Sequence, residues 1–479
     1  MALDRLSEFR KLLEPYNPWW TGADATPLPI FRRPIFDTLR HDLERVPQIL
    51  SITGPRRIGK TTLLRQLIHE LLGSGIAPEN LVYYSCDDPA LLRYRGTVGE
   101  LIEMGMRALR RREKTTYLFL DEIQRLEGWE LFLKKYYDLK YPVRFLISGS
   151  ASSPIFKKSR ESLLGRVKDY HLLPFSFREF LLYQLRDEHS ILEELRKLRT
   201  AGEQLQGMVA EAPIVDAEKV QLPAPSPELV NHLNTLLNRY MLEGGFPEVW
   251  ELPDWKLKQE YLFDNQINKV IYEDLVLAVE FRKPELLKRF YISLLERPGC
   301  ETNVGRIAGE TGINSQQIEK YWPLLEMTDL VYRIERFRKS PTRVRRGLMK
   351  FYLVDLALRN AVLRIAEMPG DDPSLVGRYA ENLVFLALKK WPGTIQLDYF
   401  RERDDEVDFI VHVGPRTYLP VEVKYQEQIK ASDFRGVESF HRRVRPTWLP
   451  IAVTKKWEDF GGRGSVFQIP LPLFLLFFD

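Results

Sequence analysis

The stretch GPRRIGKT, Gly54 to Thr61, sets two glycines and a Lys-Thr pair at the spacing G-x-x-x-x-G-K-[ST]. Residue types in this pattern suit phosphate. Gly54 and Gly59 let backbone N–H groups turn toward phosphate oxygens, Lys60 reaches the β- and γ-phosphates of a nucleoside triphosphate, and the Thr61 hydroxyl can ligate Mg²⁺. The run Gly54, Pro55, Arg56, Arg57, Ile58, Gly59, Lys60, Thr61 and Thr62 is therefore a candidate nucleotide-binding loop. It follows the apolar run ILSIT and opens the amphipathic run TTLLRQLIHELL, so the helix beginning there adds its positive dipole end. Downstream, YLFLDEI reads as a buried strand that delivers Asp121 and Glu122 at its C-terminal end, where α/β sheets place ligand chemistry. Asp121 would hold Mg²⁺ through water and Glu122 would polarise an attacking water; the plain alternative is a structural acidic strand end. Ser148, with Ser150 after it, ends a further strand in RFLISGSASS, placed to sense a γ-phosphate or simply to turn the chain. Arg166, in LLGRVKDY, is a candidate finger for a neighbouring subunit's nucleotide or a surface arginine.

A second constellation lies near the C-terminus. In LPVEVKYQEQ, a strand would put Glu422 and Lys424 on one face and Val421, Val423 and Tyr425 on the other. That pair is either a solvated salt bridge or part of a metal site. Upstream, RDDEVDFIVHV gives a strand bearing Asp408, and GRYAENLVFLALKKW gives an amphipathic helix bearing Glu381. Between the two constellations, residues 301–340 show helix, Gly-containing turn, helix and then a β pair, a winged-helix order. The second helix would present Gln316, Gln317 and Lys320. The following RFRKSPTRVRRG carries Arg336, Arg338, Lys339, Arg343, Arg345 and Arg346, a cluster suited to DNA phosphates or to a solvated face.

GPRRIGKTTLL, LFLDEIQRLEGWE, ISGSASS, LLGR and LPFSFREFL together resemble, in order, the AAA+ ATPases of bacteria and archaea near origin-recognition and STAND ATPases. EGGFPEVW and the C-terminal unit resemble the members of that group with a restriction-endonuclease-like tail. Helix Glu, strand Asp and then Glu-x-Lys is the order of the PD-(D/E)xK nucleases. The resemblance implies an α/β protein: an AAA+ P-loop NTPase domain with a parallel sheet, a winged-helix middle and a C-terminal α/β restriction-endonuclease-like domain. It implies ATP and Mg²⁺ as cofactors and DNA as partner. Asp408 and Glu422 would bind Mg²⁺, Lys424 would orient water and stabilise charge, and Glu381 would hold or assist a metal. Inactive tails also occur in the group, and GRYAEN is the loosest match.

Several elements must position these residues. Residues 1–36 include a Pro-rich stretch with paired Trp19 and Trp20, which reads as an arm docking by its aromatics. Residues 37–185 alternate apolar runs with amphipathic segments and read as the ATPase core, and 186–295 as a helical lid and linker. Residues 296–355 are the expected winged helix and 356–479 the nuclease-like domain. Across 479 residues, 44% are hydrophobic and 28% charged, with no apolar run long enough for a membrane helix, so no membrane partner is expected. The charged N-terminus lacks a signal core, which reads as cytoplasmic. Cys86 and Cys300 have no metal-ligand spacing and read as core residues. A net charge of +4 is only mildly basic, so DNA is argued from the local cluster. The expectation is an ATP-dependent, homo-oligomeric DNA-processing protein with a metal-dependent nuclease domain. The alternative is a STAND-type signalling or defence switch whose tail only binds partners.

Overall fold

The computed structural model describes residues 11–22, 27–89, 115–126, 128–150, 163–211, 217–275, 283–338, 347–368, 372–444 and 448–479. The chain divides into two compact units, Met1–Leu173 with Lys269–Arg282, and Pro174–Asn268 with Lys283–Asp479. Lys339, Arg343, Arg345 and Arg346 of the expected basic cluster lie outside the described residues.

The first unit is built on five parallel strands, β1 (Ile49–Gly54), β2 (Leu81–Ser85), β3 (Thr116–Asp121), β4 (Val143–Ser150) and β5 (Val167–His171), in the order β2-β3-β4-β1-β5. The sequences of β1 to β4 are mainly apolar runs rather than alternations because a parallel sheet is covered on both faces, while β5, VKDYH, lies at the edge and is largely polar. Leu50, Ile52, Phe119, Leu146 and Ile147 are all buried. The strand β2 lies at one edge, and the N-terminal arm closes it. The Asn17 amide donates to the Tyr83 carbonyl at 2.9 Å and accepts from the Tyr83 N–H at 2.7 Å, so one side chain supplies the ladder partners an open edge lacks. Trp19 and Trp20 both donate to the Leu81 carbonyl, at 3.1 and 3.0 Å.

In the second unit, eight strands form one mixed sheet in the order β12-β13-β11-β10-β9-β8-β6-β7. They are β6 (Val331–Arg336), β7 (Met349–Leu353), β8 (Gln396–Glu402), β9 (Asp405–Gly414), β10 (Thr417–Lys424), β11 (Ile451–Thr454), β12 (Gly461–Arg463) and β13 (Val466–Pro470). The meander β8-β9-β10 is antiparallel, and β11 then joins β10 in parallel. The helix Pro373–Lys390 packs against β7, β9 and β10. The two short helices expected after residue 301 are present as Val304–Thr311 and Ser315–Met327, capped by Asn303 and Asn314 and separated at Gly312 in the left-handed region. Their hairpin, β6 with β7, is not a free wing. Its strand β6 also pairs with β8, and Phe337 donates to the Tyr399 carbonyl at 2.7 Å, so the expected boundary at 355/356 runs through one continuous sheet.

The helices expected to form a lid belong to this same unit, except for Lys269–Arg282, which belongs to the first. The Phe175 N–H donates to the Gly245 carbonyl at 2.8 Å, and the Gly245 N–H donates to Asp355 Oδ2 at 2.6 Å. EGGFP is explained by this close approach: a Cβ on Gly245 would lie 2.1 Å from the Phe175 carbonyl oxygen, and one on Gly244 2.0 Å from Asp355 Oδ1. The C-terminal LPLFLLF is a buried helix, Leu471–Phe477, whose last carbonyls accept from Arg199 at 2.9 and 3.0 Å. Among the described residues, no helix is long and apolar enough to cross a membrane.

Candidate functional site

The loop after β1 turns because its glycines permit it. Gly54 has φ 142°, and a Cβ there would lie 2.0 Å from the Leu172 carbonyl oxygen; Gly59 has φ 90° and caps the helix Lys60–Gly73. Arg57 also takes a positive φ, 63°. Lys60 is buried, and its ammonium donates to the Gly54 carbonyl at 3.1 Å and the Pro55 carbonyl at 2.8 Å. From the N-terminal arm, buried Arg33 donates to the carbonyls of Ile58 and Leu173, both at 3.1 Å, tying the loop to the end of the sheet. Arg56 pairs with Glu273 at 3.2 Å.

Beside the loop, the C-terminal ends of β2, β3 and β4 converge on Asp121. Thr61 Oγ1 donates to Asp121 Oδ2 at 2.6 Å, Tyr83 Oη donates to the same oxygen at 2.9 Å, and the Ser148 hydroxyl donates to Asp121 Oδ1. Burial, reinforced by the Asp121 charge, raises the Tyr83 phenol far above its ordinary range, so it stays a donor. Glu122 sits in the left-handed region at φ 51°, and its N–H donates to Ser148 Oγ at 3.2 Å. This polar set suits a hydrated Mg²⁺, since a hydroxyl and a carboxylate already meet at one point next to the phosphate loop.

In the second unit, the four expected residues also come together, around a fifth that the sequence reading missed. The Lys350 ammonium, on β7, lies 3.0 Å from Glu381 Oε1, 2.8 Å from Glu406 Oε1 and 3.1 Å from Asp408 Oδ1. Tyr352 donates to Glu381 Oε1 at 2.7 Å. Asp408 Oδ2 accepts the Val423 N–H at 3.0 Å, Glu422 Oε2 accepts the Asp408 N–H at 3.2 Å, and Glu422 Oε1 accepts from Lys424. Burial pushes the Glu381 carboxyl up to about 7 against the pull of Lys350. Burial beside Asp408 pushes Glu422 up to about 8. Asp408 is held low despite its burial, by Lys350 and Lys424. Burial disfavours the Lys350 charge, but Glu381, Tyr352, Asp408 and Glu406 outweigh it, and the ammonium stays charged far above its ordinary range. A cavity of about 800 Å³ opens over this network, with Arg306, Arg378 and Arg401 also on its walls. The expected Mg²⁺ does not fit here: the point on which oxygens of Glu381, Glu406 and Asp408 converge is filled by the Lys350 ammonium. Among the described residues, no group of three or more His, Cys, Asp or Glu is arranged to hold a metal ion.

Residues 46–181 match the family model of an AAA domain. The matched segment, which contains the phosphate loop, Asp121, Glu122, Ser148 and Arg166, is therefore similar to an AAA domain, which implies a nucleotide such as ATP at the loop. Two further models match residues 234–368 and 376–474, each described as a domain of unknown function, DUF8612 and DUF4143. The chain is 24% identical to the uncharacterized protein MJ1544 of Methanocaldococcus jannaschii, over 83% of this chain and 80% of that one. An uncharacterized protein of Haemophilus influenzae is 23% identical, over 80% and 85% of the two chains. The AMPPCP-bound DnaA from Aquifex aeolicus is 15% identical, covering 63% of this chain and 89% of that one at a TM-score of 0.25.

Arg166 is not brought to the AAA domain's own loop. It precedes β5, its carbonyl accepts from Ile49 at the start of β1, and its guanidinium pairs with Asp138 at 2.7 and 3.1 Å. The loop lies at the other end of β1, roughly 20 Å away at about 3.3 Å per residue. In the second unit, Gln316 and Lys320 are exposed on their helix and Gln317 is half-buried. Arg336 turns onto the sheet to donate to the Arg401 carbonyl, and Arg338 lies 4.0 Å from Glu335. Cys86 is buried and Cys300 half-buried, each unpaired with another cysteine. Tyr83, Arg33 and Lys350 went unread in the sequence. Only Lys350 left a local signal, a charge inside the otherwise apolar strand MKFYL.

Proposed function

We propose that this chain hydrolyses ATP in its AAA domain and uses the cycle to act on DNA. The observation that carries the first half is the convergence of Thr61, Tyr83 and Ser148 on Asp121 beside the loop. The loop's backbone N–H groups and Lys60 would bind the β- and γ-phosphates, with Lys60 exchanging the Gly54 and Pro55 carbonyls for phosphate oxygens. Thr61 and Asp121 would hold Mg²⁺, which neutralises charge on the transferring phosphoryl group. Glu122 takes the proton of the attacking water, and Ser148 fixes its backbone. Arg166, remote from its own loop and already anchored by Asp138, would serve the nucleotide of a second copy, which makes the working form a homo-oligomer.

For DNA, the reading rests on the exposed Gln316 and Lys320 near the start of the helix Ser315–Met327 and on the basic segment that follows β6. A second reading has its own support. Lys350, locked among the carboxylates, favours an ATP-driven switch whose tail binds without cutting. Lys60→Ala should abolish turnover of ATP, and Glu122→Gln should retain bound ATP without hydrolysis. Wild-type turnover by Lys60→Ala would defeat the ATPase assignment. Turnover raised by DNA favours the first reading; turnover indifferent to duplex, forked and four-way DNA favours the second.

A further inference from the structure

We infer that the C-terminal carboxylate centre carries its own cation: the Lys350 ammonium stands where a divalent metal would, and the wild-type protein takes up no Mg²⁺ or Mn²⁺ there. The Lys350 ammonium donates to Glu381 Oε1 at 3.0 Å and to Asp408 Oδ1 at 3.1 Å, and Glu406 Oε1 lies 2.8 Å away as an ion pair. These are hydrogen-bond lengths, and the three oxygens converge on one nitrogen. A Mg²⁺ ion needs oxygens at about 2.0–2.1 Å in near-octahedral array, so it would have to replace the nitrogen rather than sit beside it. Of the other oxygens, Glu406 Oε2 lies 3.5 Å from the Arg401 guanidinium. Asp408 Oδ2 faces the Val423 N–H, and Glu422 divides its oxygens between Lys424 and the Asp408 N–H.

The lysine is also fixed from its own side. It is 3% exposed on a strand whose five residues are all buried, and its ammonium lies 5.7 Å from the Tyr399 ring. Tyr352, two residues on in the same strand, donates to the same oxygen of Glu381 at 2.7 Å. The centre therefore works as an ion-paired node joining β7, the helix Pro373–Lys390, β9 and β10. The inference is independent of the ATPase reading, since the two sites share no residue.

The test is uptake of Mn²⁺ by the nucleotide-free full-length protein, followed by loss of the electron-spin-resonance signal of the free ion. The wild type should show no uptake that depends on Asp408, so its signal and that of Asp408→Asn should be the same. Lys350→Met, with melting and circular dichroism as folding controls, should gain about one Mn²⁺ per chain. Lys350→Met combined with Asp408→Asn should lose it again. Stoichiometric uptake by the wild type that disappears in Asp408→Asn would overturn the inference, and this arm needs no change at Lys350, so it decides the matter even where Lys350→Met fails to fold. A folded Lys350→Met that binds no Mn²⁺ would equally overturn it.

Discussion

Replacing Tyr83 by Phe removes one oxygen and leaves the ring in place. Tyr83 is 2% exposed, its ring lies 6.3 Å from that of Tyr16, and its backbone is held by Asn17 whatever the side chain. The substitution removes the 2.9 Å donation to Asp121 Oδ2, the oxygen that also accepts from Thr61, together with the phenol's contact with Arg65. A hydrogen bond to a charged group contributes about 1.5–3 kcal/mol. Asp121 keeps Thr61 and Ser148, so about 1–2 kcal/mol of this is expected to reach the hydrolytic step, a fall in kcat of roughly 5- to 30-fold. The phosphates are bound by the loop and Lys60, so KM for ATP should stay within about twofold. Steady-state ATP turnover with Mg²⁺, alongside nucleotide binding by calorimetry, reads both quantities. An unchanged kcat would mean that Thr61 and Ser148 alone hold the carboxylate, and a lost affinity with normal kcat would move Tyr83 out of the positioning role.

Gly245→Ala should destabilise the second unit by about 3 kcal/mol in urea unfolding, because the new Cβ would lie 2.1 Å from the Phe175 carbonyl oxygen and must push apart the bonds to Phe175 and Asp355. Arg166→Ala should bind ATP with unchanged affinity and turn it over slowly, and mixing it with Lys60→Ala should restore part of the activity; no recovery at any ratio would refute action between copies. Hydrogen bonds from Lys168 and Tyr170 hold the Asp42 carboxyl down to about 2, from an ordinary 3.8. The folded state therefore gains stability above pH 3.8 and loses it as pH falls toward 2, by about 1 kcal/mol after screening at the exposed Lys168, and Asp42→Asn should flatten that stretch of the acid melt.

The phosphate loop was legible because its chemistry is contiguous: two glycines, a lysine and a threonine within eight residues, between an apolar run and a helix. Asp121 was legible for a related reason, as a charge closing a buried strand. Tyr83 was not, because its role depends on register. Pairing of β2 with β3 sets Tyr83 opposite Phe119, and only that alignment carries its phenol to the carboxylate two residues on. The hairpin β6 with β7 read as a wing because a local pattern of alternation cannot report whether the outer edge of a strand is free. Here β8 occupies it, brought from beyond residue 395. EGGFPEVW was legible only as a resemblance, since the crowding that demands glycine comes from Phe175 and Asp355, far away in sequence.

Two of the buried lysines, Lys60 and Lys350, show why residue order alone misreads a site of this kind. Lys60 donates to the backbone carbonyls of Gly54 and Pro55. Bonds to neutral acceptors are worth about 0.5–1.5 kcal/mol each, and a phosphate, as a charged acceptor, replaces them at a gain. Lys350 faces three carboxylates in a buried centre, and the reverse exchange has no such gradient: a metal entering there would leave an ammonium without its partners inside the protein, a loss of several kcal/mol. Glu381, Asp408, Glu422 and Lys424 do assemble in the order their spacing suggests, but the charge that decides what they bind comes from β7, a strand assigned by pattern to another domain. One lysine is poised to change partners and the other is locked to those it has. That contrast places the exchangeable phosphate chemistry of this chain in its first unit.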